Sequence, residues 1–233
     1  MRQTFIKLQQ GVTLIELMIS LVISMILMLG VVGVYVTSKR GYVLQDDLAR
    51  QQENARFSLD ILTHDIRMAG YPKSTIAEAI VVATTADGGG TASDTITLQF
   101  ESTTDCLNQP APGNVAVNRY FVDVDNKLNC LGNGGAESDV LAEGVDNMQI
   151  LYGIDTDATA DGQANKYVNW STVTAAEREK IVSIRLGLLT QTPTESASAQ
   201  TNKDYQVLDQ TITTDDKRIH RNYANTIVMR NRL

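Results

Sequence analysis

Residues 12–36, VTLIELMISLVISMILMLGVVGVYV, form an apolar run interrupted by one ionisable side chain, Glu16. A helix of that length spans roughly 38 Å, more than the ~30 Å hydrocarbon core of a bilayer. The run predicts a membrane-crossing helix. Ahead of it, MRQTFIKLQQG carries Arg2 and Lys7 and no acid; behind it come Lys39 and Arg40. A secretory signal peptide would have an apolar stretch of about 7–15 residues and a small-residue cleavage site. This run is longer and no such site follows, so an N-terminal anchor is expected. The short basic segment would face the cytoplasm, although Lys39 and Arg40 weaken the asymmetry that sets orientation. Gly30 and Gly33 fit close helix packing or a weak point in the helix.

The helical pattern continues beyond the apolar run. Leu44, Leu48, Gln51, Ala55, Leu59, Leu62 and Ile66 recur at spacings of three and four, an amphipathic stripe. Asp46, Asp47, Arg50, Glu53, Arg56, Asp60 and Arg67 read as its solvated face. Gly70-Tyr71-Pro72 ends the helix, since glycine suits a C-terminus and proline cannot continue it. The stripe is short and contains Gln51 and Ala55, which favours packing on a sheet over a coiled-coil stalk.

Residues 73–233 alternate β-branched runs with Gly, Asn and Asp clusters, the pattern of strands and loops. Strands are expected at 80–84, 95–100, 115–124, 127–131, 145–154, 181–189 and 223–230. Asp125-Asn126 reads as a hairpin turn. Thr172 or Thr174 would cap a short helix through Glu179. Residues 86–93 and 191–203 read as loops.

Composition hides this division. The chain of 233 residues is 43% hydrophobic and 20% charged, with a net charge of −7. All but one of its 27 acidic residues and all but four of its 20 basic ones lie beyond residue 40. An acidic balance argues against nonspecific nucleic-acid binding, which needs a basic face. Cys106 and Cys130, in a domain read as exported, suggest one disulfide closing a loop of about 25 residues, worth roughly 3 kcal/mol by chain entropy. Neither has a Cys or His neighbour at zinc spacing.

Little in the chain reads as catalytic. His64 sits in the helical stretch beside Asp65, His220 in a basic tail, and neither belongs to a recognisable motif. Gly88-Gly89-Gly90 and Gly132-Asn133-Gly134-Gly135 lack the Lys-Ser/Thr context of a phosphate loop and read as turns. An enzyme is not expected. Asp155, Asp157 and Asp161, followed by Gly162, resemble part of a calcium loop, since hard carboxylate ligands suit Ca²⁺. The spacing and the absent terminal Glu depart from an EF-hand, and a solvated acidic loop is the competing reading. Lys217, Arg218, Arg221, Arg230 and Arg232 make the C-terminus basic. It fits a subunit-docking surface or a final strand with charged edges better than a DNA patch.

Gly11-Val12-Thr13-Leu14-Ile15-Glu16-Leu17 resembles the class III leader junction of type IV prepilins. The resemblance implies that a membrane peptidase cuts between Gly11 and Val12 and methylates the new amine of Val12, where Phe is commoner. It also implies that Glu16 neutralises that amine, on its own subunit or a neighbour, when anchors bundle into a filament. Three further stretches resemble the PilW-type minor pilins: Asp65-Ile66-Arg67-Met68-Ala69-Gly70-Tyr71, residues 141–155 (LAEGVDNMQILYGID), and residues 222–232 (NYANTIVMRNR). The J-type minor pseudopilin of type II secretion shares the large head and Arg-rich ending.

The implied fold is α+β, the pilin fold: a long N-terminal helical spine packed on an antiparallel β-sheet head. Its implied parts are a cleaved leader (1–11), a transmembrane and filament-core helix (12–40), the amphipathic half of the spine (41–70) and a periplasmic or extracellular head (71–233). The implied role is a minor pilin in a tip or priming complex that initiates pilus assembly, supporting twitching, adhesion or DNA uptake. A pseudopilin, or a tip module binding DNA or surfaces, are the alternatives. Implied partners are the prepilin peptidase/methyltransferase, other minor pilins, the major pilin, a tip adhesin, the inner-membrane assembly platform and the membrane; nucleic acid is not expected. The chain would sit in the bacterial inner membrane by a single pass, then in the pilus fibre. No cofactor is expected; Ca²⁺ at the acidic loop is the one candidate, against the preferred reading of a solvated loop.

Overall fold

The computed structural model describes residues 11–76, 78–196 and 201–232; the basic leader residues Arg2 and Lys7 lie outside them. By contacts the chain divides into two units, Met1–Asp46 and Asp47–Leu233. One helix, α1 (Leu14–Met68), supplies the described secondary structure of the first unit and opens the second.

In the first unit every described residue from Gly11 to Val43 is exposed, the large apolar ones included. Three of its hydroxyls bond back within the helix: Ser20 Oγ donates to Glu16 O at 2.7 Å, Ser24 Oγ to Ser20 O at 2.7 Å, and Thr37 Oγ1 to Gly33 O at 3.0 Å. A helix surrounded by lipid must satisfy its polar groups internally, and these bonds do so.

Among the described residues the second unit holds ten strands. A four-stranded antiparallel sheet has the order β1 (Ile96–Glu101), β2 (Val115–Val122), β3 (Lys127–Leu131), β4 (Asp139–Glu143). A second runs in the order β10 (His220–Val228), β7 (Ile181–Gln191), β5 (Val145–Ile154), β6 (Lys166–Val168). β8 (Lys203–Val207) and β9 (Gln210–Thr214) form a separate hairpin. Between β6 and β7, the short helix α2 (Ala175–Arg178) is capped by Thr174, with Glu177 returning the capping-box bond.

The chain passes from the first sheet to the second at Gly144. Its φ of +73° is left-handed, and a Cβ there would lie 2.8 Å from Gln191 O. Only glycine meets both demands. The core lies where the helix meets the sheets: Leu62, Ile66 and Ala69 of the spine pack with Ile96, Tyr120, Leu128, Met148, Ile150 and Ile184. This packing on sheets, rather than on a second helix, agrees with the short polar-interrupted stripe.

Several expectations change. The buried face of the spine is Asp47, Gln51, Ala55, Ser58, Leu62, Asp65 and Ile66, whereas Leu44, Leu48 and Leu59 are only partly buried. Asp47, read as solvated, is buried and accepts a hydrogen bond from Thr194 Oγ1. Residues 80–84 are no strand. Ile80 makes one bridge to Leu98, after which the Thr84 and Thr85 hydroxyls bond Thr97 in place of a ladder. The strand expected at 115–124 stops at Val122, because Asp123 Oδ1 collects the N–H groups of Asp125 and Lys127 and closes the turn. The last strand runs from His220 to Val228 rather than from 223 to 230, and Arg230–Arg232 turn into a 3₁₀ helix. β4, β6, β8 and β9 appear where no strand was expected. The loop expected at 191–203 is partly strand at its ends, and residues 197–200 within it lie outside the described residues.

Candidate functional site

The candidate processing region begins at Gly11 and Val12, which precede the helix and are exposed. Thr13 sits just outside α1. Its Oγ1 accepts the Glu16 N–H at 3.3 Å, and its carbonyl accepts the Leu17 N–H at 3.2 Å. Thr13 thus caps the helix with Glu16 three residues on, the capping-box spacing. The Glu16 carboxylate lies in the first turn, where the helix dipole favours negative charge. Around it on this stretch the exposed side chains are apolar: Leu14, Ile15, Leu17, Met18 and Ile19.

The other end of the spine is held by polar groups. Asp65, 6% exposed, accepts through Oδ2 from Tyr120 Oη at 2.5 Å and from Asn118 Nδ2 at 2.7 Å. Its Oδ1 lies 3.0 Å from His64 Nδ1. Burial, with the Asp65 charge adding to it, pushes the Tyr120 phenol far above its ordinary pKa, so it stays a donor. Asn118 passes the connection outward, its Oδ1 accepting the Cys106 N–H at 3.0 Å. Cys106 and Cys130 are joined by a disulfide across a Cα–Cα distance of 6.5 Å. The loop before it turns on Asp105, whose carboxylate accepts from Leu107, Gln109 and Gly134 N–H groups.

Three more contacts complete the joint. Gln51 Nε2 donates to Thr190 O at 2.8 Å and Ile219 O at 2.9 Å. Gly70, at φ +81°, donates to Gln99 O at 2.8 Å. From the far end of the chain, Asn231 Nδ2 reaches Arg67 O at 3.0 Å and Met68 O at 3.2 Å. Arg67 O is an orphan carbonyl of the helix C-terminus that Asn231 satisfies, while Met68 O also accepts the Tyr71 N–H at 3.0 Å.

The acidic loop brings Asp155, Asp157 and Asp161 within 4.8 Å of one another. Asp155 already accepts three backbone N–H groups, from Asp157, Asp161 and Gly162, and the Gly162 bond leads in holding its pKa below the usual range. Its carboxylate therefore ties the loop's backbone together. Asp157 and Asp161 are exposed.

With this geometry in hand, comparisons with known families are specific. The model of the family described as Prokaryotic N-terminal methylation motif matches residues 6–32. That of the family described as PilW, Type IV Pilus-assembly protein W, matches residues 118–231. These two matches support a type IV pilin-like minor pilin. One similar solved structure is the type IV-like pilin TTHA1219 from Thermus thermophilus, at 16% identity and a TM-score of 0.49, covering 78% of this chain and 96% of that one. No curated protein matches the sequence.

The PilW match points to a structural pilus component that interacts with other pilins and assembly machinery, and the methylation motif with its apolar helix points to a membrane-anchored protein. The first and last residues of the PilW match fall on the joint: Asn118 and Tyr120 near its start, Asn231 at its end. The role of these residues was not foreseen. The signal for Asn118 was its place between Ala116 and Tyr120 on the inward face of β2, where an amide needs a partner.

The C-terminal cations do not act alike. Arg218 turns inward, with Nη1 on Pro193 O at 2.7 Å and Thr192 O at 3.1 Å. Arg232 is partly buried, and burial lowers its pKa. Lys217, Arg221 and Arg230 are exposed, two of them flanking the edge strand β10 or lying on it. His220, read as part of this basic tail, is instead buried among acids.

Proposed function

We propose that this minor pilin joins a small priming complex that starts type IV pilus assembly, and then travels with the fibre. The observation that carries the proposal is the capped start of α1. The helix begins two residues after Val12 and sets Glu16 in its first turn, on a surface otherwise apolar. Cutting after Gly11 would leave a cationic amine on Val12, methylated in the mature chain. Once neighbouring anchors or lipid surround this end, an unpaired carboxylate or amine is strongly disfavoured and a pair is tolerated. Glu16 then neutralises the Val12 amine of its own or an adjacent subunit and fixes register. Residues 12–40 serve as the transmembrane and filament-core helix, and residues 71–233 as a head on the periplasmic side.

A preformed nucleus has a physical rationale. Moving an anchor out of lipid must be offset by packing against other anchors, so the first few subunits gain least. Complexes that assemble in advance lower that barrier. The experiment is deletion of the gene, with surface pili counted and an exported enzyme assayed. Loss of pili with secretion intact supports the reading. Loss of secretion with pili intact would assign the chain to a type II system, and intact pili with failed adhesion or DNA uptake would make it a binding module. Mass spectrometry of the mature chain should find Val12 first, heavier by one methyl group.

A further inference from the structure

The head contains a cavity of about 430 Å³ whose walls include Asp146, Asp215, Asp216, Thr214, Asn147 and His220. These come from the starts of β5 and β10, the end of β9 and the turn between β9 and β10. Arg218, the nearby cation, donates through Nη1 to the carbonyls of Thr192 and Pro193 and pairs loosely with Asp216 at 3.8 Å, which leaves Asp146 and Asp215 without an ion pair to it. The cavity therefore keeps an excess of carboxylate.

His220 is the unusual member. Its side chain is 1% exposed, yet Nε2 has no hydrogen-bond partner. A buried polar atom is seldom left so. Nδ1 lies 3.2 Å from Arg218 O, and a carbonyl can only accept, so Nδ1 carries the hydrogen. In the neutral ring Nε2 then presents a lone pair. Asp146 Oδ2, also an acceptor, lies 3.6 Å away, beyond hydrogen-bond reach. A proton on Nε2 would make an ion pair with Asp146, and a cation between the neutral ring and the carboxylate would satisfy both acceptors; the carboxylate-lined cavity beside them gives such a cation room and water.

We propose that His220 Nε2 and Asp146 Oδ2 bind a divalent transition-metal ion of the zinc type, with water from the cavity completing its shell. Two ligands about 2.0–2.1 Å from one tetrahedral ion are separated by roughly 3.4 Å, so the observed spacing needs little adjustment. The Arg218 carbonyl on Nδ1 holds tautomer and ring orientation, as outer-shell partners of metal-bound histidines do. Asp216 Oδ1, 3.7 Å from Nδ1, adds negative charge on that side. The Tyr205 ring, its centroid 5.4 Å from that of His220, walls another. A nitrogen ligand favours zinc, nickel or copper over calcium and magnesium.

The test is thermal unfolding of the full chain in detergent micelles, titrated with zinc chloride, with cobalt absorption as a second readout. Zinc should raise the midpoint and saturate below about 1 mM, while equal calcium should not. His220→Gln and Asp146→Asn should each weaken binding at least tenfold, and Asp155→Asn should leave it unchanged. Should His220→Gln not fold, Asp146→Asn still decides, because that carboxylate is partly exposed at the wall of the cavity. No zinc-dependent shift up to that concentration, or full binding by either variant at the cavity, would overturn the site.

Discussion

The Tyr120 hydroxyl on β2 donates to Asp65 Oδ2 on the spine across 2.5 Å, with both residues buried. Removing the acceptor should cost more than removing the donor. Asp65→Ala strands both Tyr120 Oη and Asn118 Nδ2, and a buried unsatisfied donor costs about 1–3 kcal/mol each. Tyr120→Phe leaves Asp65 with Asn118 and is expected to cost about 1–2 kcal/mol. Denaturant titration of the purified variants measures both, and the double variant should fall well short of additivity.

Asn231 should act as a helix cap delivered from the opposite end of the chain. Asn231→Ala leaves the Arg67 and Met68 carbonyls without their side-chain donor. The expected loss is about 1 kcal/mol, with faster amide hydrogen exchange confined first to the last turn of α1 and the Gly70 segment. Unchanged exchange there would show that the cap is not needed.

Gly144→Ala should destabilise the head by about 2 kcal/mol or more. It combines a left-handed backbone, costing an L-residue roughly 1–2 kcal/mol, with a Cβ 2.8 Å from the Gln191 carbonyl. By contrast, a Cβ at Gly30 or Gly33 meets nothing within 4 Å, so Gly30→Ala should leave the isolated chain folded. Comparing the two variants by thermal unfolding separates backbone strain from helix propensity.

Asp94 should impose a pH dependence. Burial raises its pKa from 3.8 to about 6, against the opposing hydrogen bonds from Gly88 and Ile150 N–H groups. Between those values the folded chain holds a proton that the unfolded chain has released. Stability from this group is therefore present below about pH 4 and lost as pH rises to about 6. Asp94→Asn should lack that slope, so the variant gains on the parent across this window by at most about 3 kcal/mol. Paired unfolding curves between pH 4 and 7 measure the difference.

Much of this protein was determined by its sequence alone. An apolar run of helical length, ended by polar residues, has few physical solutions. The span, the continuation into an amphipathic half and the stop at Gly70 follow from period and composition. β3 and β5 were legible to the residue because their apolar positions are bounded by turn formers, Asp125-Asn126 and Gly132 around β3 and Gly144 and Asp155 around β5. Thr13 and Glu16 stood at capping-box spacing, so the helix start was written locally as well.

The face that the spine buries was decided only by the tertiary structure. Periodicity points to apolar positions, yet Asp47, Gln51, Ser58 and Asp65 lie inward. A polar side chain can be buried when a partner meets it, and those partners are remote: Thr194, the Thr190 and Ile219 carbonyls, Asn118 and Tyr120. The β8–β9 hairpin was hidden for a related reason. Its outward residues are polar, and its inward Val207 and Ile212 find cover in a small cluster with Leu189 of β7. His220 and Asp146, far apart in the chain, likewise face each other only because β5 and β10 both flank β7. Local pattern set the elements, and long-range pairing of polar groups set which of their faces turned inward.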